Sequence, residues 1–222
     1  MSDITALYLL SLSIIFAAAA GAIRFRKIDP SYHPFIYYSW LSVITETVVY
    51  IIIRSGKGDE IAPYVYNVFH VAEFFLLSWM FHNWGLFKRR KSVFIAINVF
   101  FLFLYLSTLY MRGHDKLNYF ACIANSFALI FFSISAFNTM IVNERTNIFK
   151  NPKFWICIGM IIYFTYFILV YTEKLNFLDI KRSDDLKQKI WLVQAVSNLF
   201  VNFLYALAVI WIPRKKNTIT LL

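Results

Sequence analysis

Seven uninterrupted apolar runs, each about 20 residues long, follow one another along the chain with short charged connections between them. They fall near 4–23, 35–53, 63–84, 92–111, 117–142, 153–172 and 190–212. At about 1.5 Å per residue, a helix of that length crosses about 30 Å of hydrocarbon. A lone helix satisfies its own backbone hydrogen bonds in lipid, and the runs lack the period-two alternation of a membrane barrel. Composition agrees: 60% of the residues are apolar, beyond the ~45–50% of soluble domains. The expected fold is all-α, a polytopic membrane helix bundle of seven transmembrane helices in one domain over residues 1–222.

Punctuation supports the divisions. Pro34, Pro63 and Pro152 stand where spans begin, Pro213 closes the last, and Gly56 and Gly58 mark a tight turn. Tyr37, Tyr38, Trp40, Trp79, Trp84, Trp155, Trp191 and Trp211 lie toward span ends, where such rings favour the interface. The first run carries Asp3 in place of a basic leader and reads as a retained helix rather than a signal peptide.

The net charge of +10 raises the possibility of nucleic acid, but its distribution points to lipid. Arg24, Arg26, Lys27, Lys88, Arg89, Arg90, Lys91, Arg145, Lys150, Lys153, Arg214, Lys215 and Lys216 all fall on alternate connections, opposed by only Asp29 and Glu144. Those connections are cytoplasmic by the positive-inside rule, which puts the N-terminus outside and the C-terminus in the cytoplasm. The expected partners are the bilayer and, at the cytoplasmic face, anionic lipid headgroups; nucleic acid is not expected. Cys122 and Cys157 sit inside apolar spans as packing residues, without disulfide or zinc spacing.

Ionisable groups in a span are costly and face the bundle interior. Span two carries Glu46, on a stripe with Ser39, Ser42 and Tyr50. Span three carries Asn67, His70 and Glu73, and span seven carries Gln194, Asn198 and Asn202 at intervals of four. With alternating directions, Glu46, His70 and Asn198 share one outer-to-middle layer, Glu46 about 10 Å below the surface. Spans two, three and seven are therefore expected to enclose a polar pocket open to the outside, lined by Glu46, Asn67, His70, Glu73, Gln194, Asn198 and Asn202. Interhelical hydrogen bonding alone also accounts for the amides. The two carboxyls demand more, since each must be protonated, paired or solvated.

Glu and His three apart occur in di-iron bundles, but those need more ligands than this chain supplies, with His33, His82 and His114 placed elsewhere. No metal is expected. Retinal is not expected either, because Lys189 lies at the edge of the last span rather than within it. No signature of a serine hydrolase, zinc protease, nucleotide-binding loop or dithiol site occurs.

The run Asn67-Val-Phe-His-Val-Ala-Glu-Phe-Phe-Leu-Leu-Ser-Trp79 resembles span three of small bacterial seven-helix membrane proteins. Some of these look like sensor regions paired with histidine kinases. The resemblance implies a bacterial inner membrane and a membrane or cytoplasmic signalling partner, since these residues hold no output domain. Spans 1–3 and 5–7 around a linking fourth also resemble the three-one-three plan of SWEET sugar transporters, without the Pro-Gln motif of the related PQ-loop family. The leading reading is a sensor or binder of a small ligand. A transporter, channel or membrane-permeabilising effector is the alternative. A third reading is an intramembrane hydrolase using Glu46, His70 and Glu73.

Overall fold

The computed structural model describes residues 8–88, 90–112, 116–143, 148–175 and 184–214. Residues 4–7 of the first expected span, Arg89, His114, Glu144, Arg145, Lys215, Lys216 and the Trp191 side chain lie outside that description. The described residues are all-helical apart from connections, with an isolated bridge between Ile28 and Arg214. We number the helices α1 (Tyr8–Arg24), α2 (His33–Arg54), α3 (Gly58–Asn83), α4 (Lys91–Arg112), α5 (Tyr119–Asn143), α6 (Pro152–Lys174) and α7 (Asp184–Trp211).

Five stretches are long and apolar enough to cross a membrane: Pro30–Arg54, Lys91–Met111, Tyr119–Val142, Pro152–Lys174 and Leu192–Trp211. Helix α1 is shorter over its described residues. Helix α3 has the length, but Asp59, Glu60, Asn67, His70, Glu73 and His82 dilute its apolar character.

One boundary expectation is corrected. Pro63 does not open its helix; it lies inside α3, which begins at Gly58. The proline removes the N–H that would bond the Asp59 carbonyl, and so near the helix start that carbonyl can face water. Gly56, at φ 77°, makes the turn instead. Pro152 does stand first in α6, behind Asn151, whose side chain accepts from Lys153 N–H at 3.0 Å.

Consecutive helices pack in two triplets, α1–α2–α3 and α5–α6–α7. The triplets meet through α1 against α7 and α3 against α5, which closes a ring of six. Helix α4 packs against the outside of that ring, on α3 and α5, and presents Val99, Phe100, Phe103 and Leu106 outward.

Small residues bring the helices close. Cβ groups built on Gly21 and Gly159 would stand 2.8 Å from Ile36 Cγ2 and 2.5 Å from Tyr205 Cε1. Arg24 at the end of α1 donates to the carbonyls of Val209 (2.6 Å), Ile210 and Ile212 (2.8 Å), closing the C-terminus of α7. Asp29 N–H adds a bond to the Pro213 carbonyl at 3.1 Å. At this same end Trp155 meets Trp211, Tyr32 meets Trp84, and Lys153 lies 5.7 Å from the Trp84 ring centre. This is the basic end of the bundle.

Candidate ligand-binding cavity

The opposite end holds a cavity of about 420 Å³. Helical spacing explains its wall. Helix α2 contributes Glu46, Val49, Tyr50 and Ile53, and α3 contributes Tyr66, Phe69 and His70. From α6 come Tyr163, Phe167, Val170, Tyr171 and Lys174, one stripe over three turns. Gln194, Ala195 and Asn198 of α7 complete the circuit, with Tyr8 and Ser11 of α1 and Leu117 and Tyr119 at the entry to α5. Every contributing helix uses the half farther from the basic end.

Four of the seven residues singled out in the sequence meet here: Glu46, His70, Gln194 and Asn198. The other three are spent elsewhere. Asn67 pins the connection between α4 and α5. Its Oδ1 accepts from the Tyr105 hydroxyl at 2.8 Å and from Asn118 N–H at 3.0 Å, while its Nδ2 donates to the Lys116 carbonyl at 3.0 Å. Asn118 in turn donates to Thr108 Oγ1 at 2.6 Å and to the Tyr105 carbonyl at 3.2 Å. Asn67 thereby holds Leu117 and Tyr119 at the cavity rim without lining it. Asn202 donates to Ser13 Oγ at 2.8 Å and ties α7 to α1, both side chains buried.

Glu73 stands behind the wall. His70 Nδ1 lies 2.9 Å from Glu73 Oε2, and His70 Nε2 lies 3.2 Å from the Tyr171 hydroxyl. With an ionised Glu73, Nδ1 carries the proton and Nε2 accepts from Tyr171. The result is a hydrogen-bonded chain from the cavity wall to a buried carboxylate. Glu73 Oε1 and the hydroxyl of buried Tyr205 have no partner among the described residues.

Rings surround His70. Phe167 lies 5.1 Å away between centroids, Phe69 5.3 Å, Tyr171 6.1 Å and Tyr66 6.3 Å. Sequence reasoning missed this α6 wall. Tyr163, Phe167 and Tyr171 do share a helical stripe, but Phe164 and Tyr166 interrupt it in the sequence, so spacing alone did not select the face. Among the described residues no three side chains of His, Cys, Asp and Glu gather closely enough to share a metal ion.

No protein-family model matches this chain, and no curated protein or solved structure matches it.

Proposed function

We propose that this is a seven-span protein of the bacterial plasma membrane, N-terminus outside, that binds a small ligand in the cavity from the outer side and reports its presence as a receptor or sensor. One observation carries the reading: Glu46, His70, Gln194 and Asn198, from three helices, line a single cavity at the end away from the basic connections. Its volume is in the range of small-molecule sites. A ligand bridging α2, α3, α6 and α7 would draw the two triplets together, and a membrane or cytoplasmic partner at the basic end would read that movement. Thermal unfolding of the detergent-purified chain against a mixed panel of sugars, amines, carboxylates and amino acids tests it. A compound that stabilises the wild type but not Ala195→Phe, which fills the cavity, supports the reading. Stabilisers that act equally on both would remove the cavity from the mechanism.

A second reading rests on the Tyr171–His70–Glu73 chain. Such a chain suits a proton-coupled transporter, with Glu73 as the proton site. Ligand flux in proteoliposomes driven by a pH gradient, and lost in Glu73→Gln, distinguishes it from a receptor.

A further inference from the structure

We infer that the cavity takes a protonated organic amine, its ammonium group against Glu46 and its apolar body against the aromatic wall of α6. The inference rests on the cavity being the ligand site and adds the ligand's chemical class.

The first argument is the set of unmet acceptors. Glu46, half-buried, is the one carboxylate in the wall and takes part in no hydrogen bond or salt bridge among the described residues. Gln194 Oε1, from α7, is buried and has no donor among the described residues. Buried acceptors without donors are costly, and the partner that relieves them must bring N–H or O–H groups. Glu46 puts a carboxyl in the same wall, so a donor that also carries positive charge serves both groups.

The second argument is the ring lining. Tyr163 and Phe167 lie 5.5 Å apart between centroids, Phe167 and Tyr171 4.0 Å, and Tyr171 and Tyr119 5.2 Å, which makes a continuous aromatic wall. Ring faces carry negative quadrupole potential and attract cations. An anionic ligand would meet Glu46 and the ring faces unfavourably, and the one cation of the wall, Lys174, is exposed at the C-terminal end of α6. His70 offers it no donor, since both ring nitrogens are engaged.

The third argument is size and shell. A bare metal ion needs six or so oxygen ligands, and a wall of tyrosine and phenylalanine faces does not replace its water. A cavity of about 420 Å³ instead accommodates an amine with an apolar body.

The test uses matched probes on the full chain in detergent: phenethylamine, its neutral isostere phenethyl alcohol, the anion 3-phenylpropanoate, and glucose. Binding is read by thermal stabilisation and equilibrium dialysis. The expected result is stabilisation by phenethylamine alone, with affinity falling about tenfold or more in Glu46→Gln. Gln194→Leu, which replaces the buried unpaired amide by an apolar side chain and so removes the second acceptor without touching Glu46, should also weaken the amine. Equal binding of amine and alcohol, or undiminished amine binding in both variants, overturns the inference. Stabilisation by glucose or 3-phenylpropanoate that is lost in Ala195→Phe overturns the amine while upholding the cavity as a ligand site. Stabilisation by any probe that Ala195→Phe leaves intact overturns both.

Discussion

His70 Nδ1 and Glu73 Oε2 stand 2.9 Å apart, one turn from each other on α3, each side chain 4% exposed. Neither group tolerates the interior alone, and each answers the other's need. Removing His70 leaves both carboxylate oxygens of Glu73 without a donor, because Oε1 already has none among the described residues. His70→Ala should therefore cost about 3 kcal/mol. Glu73→Gln keeps an acceptor for the imidazole N–H and should cost about 1 kcal/mol. Unfolding titrations in mixed micelles give the two values. The reverse ranking would mean that the carboxylate, not the pair, is what the fold depends on.

Gly159 makes room for Tyr205. A methyl group at that position would sit 2.5 Å from the ring, which is itself buried and packed edge-on against Phe35 at 5.1 Å. Gly159→Ala should destabilise by about 1–3 kcal/mol through overpacking. Tyr205→Phe should be neutral or slightly stabilising, because its hydroxyl has no partner among the described residues. Tyr205→Leu should in turn rescue Gly159→Ala. Thermal unfolding of the three variants checks the set, and failure of the rescue would place the strain elsewhere.

The all-helical class was legible because a long apolar run has few ways to satisfy its backbone, and five of the stretches are long and apolar enough to cross a membrane. Four of the seven expected lining residues, Glu46, His70, Gln194 and Asn198, line one cavity. Facing was not legible. Asn67 and Asn202 lie on the same spans and at similar depths, yet they bind Tyr105 and Ser13 instead. Which side of a helix faces a neighbour depends on where that neighbour packs, and in a chain that is 20% aromatic the apolar pattern marks no unique face. The Arg24 clasp was hidden for a different reason. It joins residues 185 or more positions apart, and a basic residue at a span end reads first as an orientation signal.

Arg24 does more than mark a side. Its guanidinium closes three carbonyls at the end of α7, where helix geometry leaves acceptors unmet. Arg24→Ala should cost about 2–3 kcal/mol. Arg24→Lys keeps the charge but loses the planar fork, and should recover about half of that. Hydrogen exchange adds a local readout. Amides of Asp29 and Ile212, held at this junction, should exchange faster in Arg24→Ala, while those around Asn67 should not change. Uniform acceleration along the chain would show a global loss of stability rather than a released clasp.

The direction of the bundle decides which compartment the cavity samples, and labelling with a membrane-impermeant maleimide reads it. Lys57 and Lys116 flank the cavity end and are exposed, whereas Lys88 and Lys150 are exposed at the basic end. The two native thiols, Cys122 and Cys157, are 2% and 0% exposed and should give little background. Thirteen basic residues against two acidic ones predict, by the positive-inside rule, that the basic end lies in the cytoplasm. Lys57→Cys and Lys116→Cys should therefore react in intact cells, and Lys88→Cys and Lys150→Cys only after permeabilisation. The opposite pattern would turn the cavity toward the cytoplasm and make its ligand a metabolite of the cell interior. Labelling of Lys57→Cys but not Lys116→Cys in intact cells would break the seven-span alternation between α2 and α5, because these two positions must share a side if α3 and α4 both cross.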